Sequence, residues 1–168
     1  VAGEENMLAF EAAKQVANGE NKGYNPLFIF GKSGLGKTHL LRAIQNYIVL
    51  NDSSRACSYR TAAEFVEDYR IAWNDKETSA RSALSTIDDV QNMSTAAGSI
   101  RFFFETFNAL MARGKQIVLA ADRSPLQLGM GESKFDERET SRMDSGVTVS
   151  IQVPDYELKL NLINTFYE

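Results

Sequence analysis

The chain has 168 residues, 43% hydrophobic and 24% charged, with 18 Lys and Arg against 22 Asp and Glu and a formal net charge of −4. That length suits one soluble domain that buries well over half of its unfolded surface without disulfide or structural metal, and the single cysteine, Cys57, reads as a small core residue in a reducing, cytoplasmic compartment. No apolar run approaches the roughly 20 residues that cross a bilayer, no secretory or lipidation signal is present, and an acidic balance has the wrong sign for a protein whose whole surface grips nucleic acid.

Leu8, Ala12 and Val16 recur every four residues and predict a helix that stops at Gly19 to Gly23. Leu27-Phe28-Ile29-Phe30 is an unbroken apolar run between Pro26 and Gly31, the pattern of a strand buried on both faces. A helix follows from about Lys37 to Leu50, with Leu40, Ile44, Tyr47 and Ile48 inward, then a second strand candidate from Ala56 to Arg60. Thr61-Ala62-Ala63-Glu64 is a capping-box pattern ahead of a stripe of Ala62, Phe65, Tyr69 and Trp73. Asn74 to Ser82 is polar and loop-like, and Leu84-Ser85-Thr86-Ile87 is a weak strand candidate because two of its four residues are hydroxylic.

From about Ser99 to Met111 a helix presents Phe103, Phe107 and Leu110 on one face with Phe104 and Met111 beside them, and Gly114 ends it. Gln116 to Ala121 is another buried strand, Ser124-Pro125 a turn, and Gly129 to Asp144 a polar loop region. Val147, Val149, Ile151 and Val153 alternate with polar residues as in a strand, and Pro154-Asp155 opens a last helix carrying Leu158, Leu162 and Phe166. Strands alternating with helices imply an α/β fold, a parallel sheet with helices on both faces.

One segment carries chemistry. Gly31-Lys32-Ser33-Gly34-Leu35-Gly36-Lys37-Thr38 fits Gly-x4-Gly-Lys-Ser/Thr, directly after a buried strand and opening an amphipathic helix. Glycines let the backbone turn its N–H groups toward a phosphate, and the helix N-terminus adds partial positive charge at the same spot. Lys37 would bridge β- and γ-phosphates, and Thr38 would offer its hydroxyl to Mg²⁺. An acidic partner belongs at the end of a neighbouring parallel strand, where Asp88-Asp89 stand: Asp88 for the metal through water, Asp89 for the attacking water. A pair of adjacent acids is also the mark of a solvated turn or a helix N-cap.

These residues resemble a known family. Tyr24 through Gly31 and Gly36 through Leu41, followed in order by Asp88-Asp89-Val90-Gln91, Phe103-Phe104, Thr106 to Leu110, Gly114 to Leu119 and Asp122-Arg123, are similar to the ATPase domain of the bacterial replication initiator DnaA family, AAA+ ATPases. The resemblance implies a P-loop NTPase fold of the AAA+ type, a three-layer α/β/α sandwich on a five-stranded parallel sheet. It also implies ATP or ADP with Mg²⁺ as ligands and slow hydrolysis of ATP to ADP and phosphate. Val1, Gly3, Asn6, Leu8 and Ala9 resemble the family segment around the adenine. The implied nucleotide-binding set is Val1, Asn6, Gly31, Lys32, Ser33, Gly34, Leu35, Gly36, Lys37, Thr38 and His39, the last a packing or surface histidine rather than a catalyst. Thr38 and Asp88 form the metal pair, and Lys37, Asp89, Asp122 and Arg142 the catalytic set.

In that set Asp122 corresponds to the family's sensor 1, although an Asp before Arg-Ser-Pro is also a turn residue. Ser141-Arg142 before Gly146 resembles the family's arginine-finger segment, with Met143 in place of its aromatic and Arg138 as the competing arginine. Partners implied are a second copy in a head-to-tail oligomer through Arg142, origin DNA through segments shortened or outside this sequence, and replication helicase or loader proteins. Residues 1–168 would then be the nucleotide-binding core, with a helical lid and a helix-turn-helix domain beyond Glu168; the non-Met start at Val1 fits a piece of a longer protein.

Other readings stand beside this one: a related regulator or helicase-loader-type protein with little turnover, and a P-loop kinase. The kinase would need an arginine-rich acceptor lid, and 136–144 offers only Arg138 and Arg142. Arg60, Arg70 and Lys76 are interleaved with Glu64, Glu67, Asp68, Asp75 and Glu77, which reads as a mixed-charge solvated face rather than a nucleic-acid groove.

Overall fold

The computed structural model describes residues 4–19, 22–32, 35–51, 57–72, 84–93, 97–131 and 135–151. In chain order they form α1 (Glu4–Asn18), β1 (Leu27–Phe30), α2 (Leu35–Asn51), β2 (Cys57–Thr61), α3 (Ala62–Ala72), β3 (Leu84–Asp88), α4 (Ala97–Ala112), β4 (Gln116–Ala121), α5 (Pro125–Leu128), α6 (Glu137–Met143) and β5 (Val147–Ser150). Single 3₁₀ turns cover Lys22–Tyr24 and Val90–Met93.

All strand pairs are parallel, and the sheet runs β2-β3-β4-β1-β5. Parallel neighbours need crossover connections, so helices cover both faces, and β1 and the inward part of β4 are apolar on both sides. Leu27 and Ile29 of β1 pack with α1 and α2, whereas Phe28 packs with α3 and α4. In β4, Val118 and Ala120 join the first cluster and Ile117, Leu119 and Ala121 the second. The result is the expected three-layer α/β/α sandwich on a five-stranded parallel sheet. The second cluster centres on α4, where Phe103 meets Phe65, Phe104 and Phe107 at ring-centroid distances of 5.5, 5.1 and 6.3 Å. Gly114 ends that segment with φ +71°, a conformation glycine adopts without steric cost. Thr61 caps α3 as its pattern predicts, accepting the Glu64 amide at 3.2 Å.

β3, the weak candidate, is buried along its whole length between β2 and β4. The Thr86 hydroxyl donates to the Ser58 carbonyl at 2.7 Å. The Ser85 hydroxyl, in a residue 2% exposed, has no hydrogen-bond partner among the described residues, a burden of about 1–3 kcal/mol.

Four expectations are corrected. Leu8 is 74% exposed: the buried face of α1 is Ala9, Phe10, Ala12, Ala13, Val16 and Ala17, which pack in one cluster with residues of α2. Tyr47 is 46% exposed, because its hydroxyl reaches Asn18 Oδ1 at the surface, 3.0 Å away. The turn at Ser124-Pro125 opens a short helix, α5, with a capping box from Ser124 and Gln127. The polar stretch 129–144 contains α6, started by a capping box between Asp136 and Glu139 and pinned by buried Met143, with Phe135 buried just ahead of it. Trp73, Val153 and the helix from Pro154 lie outside the described residues. Cys57 is half-buried, and among the described residues no helix is long and apolar enough to cross a membrane.

Candidate functional site

β1 delivers the chain to Gly31, whose amide donates to the Ala121 carbonyl of the next strand at 3.2 Å. A Cβ at Gly31 would stand 2.2 Å from the Ile151 carbonyl oxygen, so backbone crowding admits only glycine there. Ser33 and Gly34 lie outside the described residues, and Lys32 is exposed. Leu35, Gly36, Lys37 and Thr38 make the first turn of α2, which holds no acidic side chain of its own and carries the unpaired N–H groups and partial positive charge of a helix start. Lys37 is 6% exposed, and its Nζ donates to the Gly31 carbonyl at 2.6 Å. Burial pushes this ammonium below the ordinary lysine range, opposed by the nearby carboxylates of Asp88, Asp122 and Asp89. A cation so placed gains from an anionic ligand.

β3 ends on Asp88, 2% exposed. Its Oδ2 accepts the Thr38 hydroxyl and the Tyr59 hydroxyl, each at 2.7 Å, and its Oδ1 accepts the Asp89 amide at 2.9 Å. Burial and the bond to Asp88 push the Tyr59 phenol up to about 12. Asp89 takes φ +57°, a strained conformation for a residue with a side chain, and turns the chain out of the strand. Its Oδ1 accepts from Gln91 Nε2 at 3.4 Å, and Gln91 Oε1 accepts the Asp122 amide at 3.2 Å. Asp122, just past β4, holds Arg123 through two bonds of 2.7 and 3.1 Å. Parallel strands thus present Gly31, Asp88 and Asp122 at their carboxyl ends, where open α/β sheets bind ligands.

Among the described residues no group of three or more His, Cys, Asp and Glu could hold a metal by itself. A hydroxyl and a carboxylate side by side, Thr38 and Asp88, are the hard oxygen donors that suit Mg²⁺, which takes one or two protein ligands and completes its shell with phosphate and water.

The fold therefore gathers Gly31, Lys37, Thr38, Asp88, Asp89 and Asp122. Asn6 lies on α1, His39 is half-buried on α2, and Val1 lies outside the described residues. Arg142 is not part of this cluster. It lines a groove of about 560 Å³ between α4 and α6 with Arg101, Phe104, Glu105 and Arg138. Arg60 is ion-paired with Asp68 at 2.5 Å, in keeping with a mixed-charge face. Tyr59 and Gln91 are additions that sequence reasoning missed. The Asp-Asp-x-Gln spacing could have raised Gln91, whereas Tyr59 reaches Asp88 only through the parallel register that sets it opposite Thr86.

The family profile of the bacterial DnaA ATPase domain matches residues 1–150. A chromosomal replication initiator protein DnaA from Francisella tularensis subsp. novicida is 38% identical over 169 aligned residues, covering 97% of this chain and 34% of that protein. The chain thus spans about a third of the length of the curated relatives it matches. Domain III of the Thermotoga maritima replication initiation protein DnaA superposes with a TM-score of 0.81 at 36% identity, over 98% of this chain and 69% of that one. A replication initiator DnaA bound to AMPPCP and single-stranded DNA gives 0.77 at 32% identity, over 98% and 53%.

Proposed function

This chain belongs to the bacterial DnaA ATPase-domain family, and from that membership we propose that it is the ATP-binding and ATP-hydrolysing core of a replication initiator, an assembly switch acting at the origin. The observation that carries this is the buried Lys37 ammonium beside a Thr38–Asp88 donor pair at the mouth of the phosphate loop. ATP supplies the negative charge that Lys37 lacks, with the free amides of the first turn of α2 around its phosphates. The Thr38 hydroxyl and, through water, Asp88 would hold Mg²⁺, which would supply neutralisation of charge on the phosphate oxygens. Asp89 orients the attacking water through its carboxylate, and Asp122 reads the γ-phosphate from the end of β4.

Arg142 acts in trans, reaching the nucleotide of an adjoining copy, so that ATP favours a head-to-tail oligomer and hydrolysis loosens it. Contacts with origin DNA and with helicase or loader proteins are functions of the whole protein. A relative solved with AMPPCP and single-stranded DNA supports this reading. The test is labelled-ATP binding together with single-turnover hydrolysis. Lys37→Ala is expected to abolish binding and Asp89→Ala to spare binding while removing hydrolysis; nucleotide binding indifferent to Lys37→Ala would sink the proposal.

A further inference from the structure

Three donors converge on the Asp88 carboxylate, and they leave it little freedom. Oδ2 receives two hydroxyl protons, from Thr38 and Tyr59, which occupy both of its lone pairs. Oδ1 receives the Asp89 amide and keeps one lone pair free. The Tyr59 ring is held in turn from α2. The Arg42 guanidinium, one helical turn after Thr38, lies 3.8 Å from the centroid of the Tyr59 ring. One helix therefore carries both the metal-side hydroxyl and the clamp on the tyrosine that restrains the metal-side carboxylate.

Resting on the ATP and Mg²⁺ reading above, we propose that Tyr59 is a positioning residue for the metal side of the site. By closing Oδ2, it fixes Asp88 so that the carboxylate meets the hydrated cation through a water on Oδ1 instead of swinging to coordinate it directly. Outer-shell partners of this kind orient a ligand without touching the metal. Tyr59 also packs against the α1–α2 cluster, but that role belongs to its ring and does not need the hydroxyl.

Tyr59→Phe separates the two roles, because it keeps the ring and the cation–π contact and removes only the donor. Binding of a fluorescent ATP analogue to the full chain is measured in EDTA and across a MgCl₂ series, with thermal midpoints in EDTA to compare the folds. The expected result is an affinity in EDTA equal to wild type and a half-effective Mg²⁺ concentration raised about tenfold, the lower end of what loss of an outer-shell partner costs. An unchanged Mg²⁺ curve overturns the proposal, and so does an equal loss in EDTA and in Mg²⁺, which would place Tyr59 in general nucleotide binding. Wild-type protein whose ATP binding does not respond to Mg²⁺ overturns the Mg²⁺ reading itself, and this inference with it.

Discussion

Lys37 holds a positive charge where solvent scarcely reaches, with a backbone carbonyl as its hydrogen-bond acceptor. Burial lowers its folded-state pKa below the ordinary lysine value of 10.5 despite three nearby carboxylates. Below the lowered value both folded and unfolded chains are protonated, and the fold bears the cost of a desolvated charge. As pH rises through the window between the lowered value and 10.5, the folded protein has released a proton that the unfolded chain still binds, so stability rises with pH. The thermal midpoint of the wild type, measured without nucleotide, should therefore gain on that of Lys37→Met as pH rises through that window; parallel curves would contradict the assignment. ATP affinity should fall over the same window as the ammonium that meets the phosphates is lost. Lys37, Thr38 and Asp88 were legible from sequence because the loop motif fixes their spacing and strand β3 delivers the acid. Tyr59 was not legible: a half-buried tyrosine in a strand looks like core until the β2–β3 register sets it diagonally from Asp88.

At the level of elements, the same limit separates β3 from α6. β3 looked weak because Ser85 and Thr86 dilute its apolar pattern, but a central strand is held by ladders on both sides, and those partners lie far away in sequence. α6 was hidden for the opposite reason: its seven residues include a single buried side chain, Met143, so no apolar stripe announces it. Its local signal is the capping box, in which Asp136 Oδ1 accepts the Glu139 amide at 2.8 Å and Glu139 Oε1 accepts the Asp136 amide at 3.0 Å. A helix this short is marginal without such help. Asp136→Ala should cost about 1 kcal/mol of stability, read as a lowered thermal midpoint. Because α6 carries Arg142 and not the phosphate loop, ATP-stimulated assembly should weaken while ATP affinity stays at the wild-type value. Loss of both together would mean that the cap supports the whole fold instead of this helix.

Across the molecule, the phosphate-loop cluster and Arg142 occupy different places: one at the carboxyl ends of β1, β3 and β4, the other in the groove between α4 and α6. A chain built this way does not complete its own site with Arg142. Two unlike surfaces meeting head to tail can complete it, and repetition of that contact extends an assembly. The net charge of −4 describes these 168 residues as a whole and does not set the sign of any one surface. The separation of the two surfaces makes a mixing experiment decisive. Arg142→Ala should bind ATP normally but fail in ATP-dependent assembly and hydrolysis, whereas Lys37→Ala should fail to bind. In an equimolar mixture, the intact loop of the first variant faces the intact arginine of the second, so hydrolysis should exceed the sum of the two proteins assayed alone. Arg138→Ala, altered on the same helix and fully capable by itself, serves as the control. If the mixture gives only the sum, or if Arg138→Ala shows the loss expected of Arg142→Ala, then Arg142 is not the residue that completes the neighbouring site.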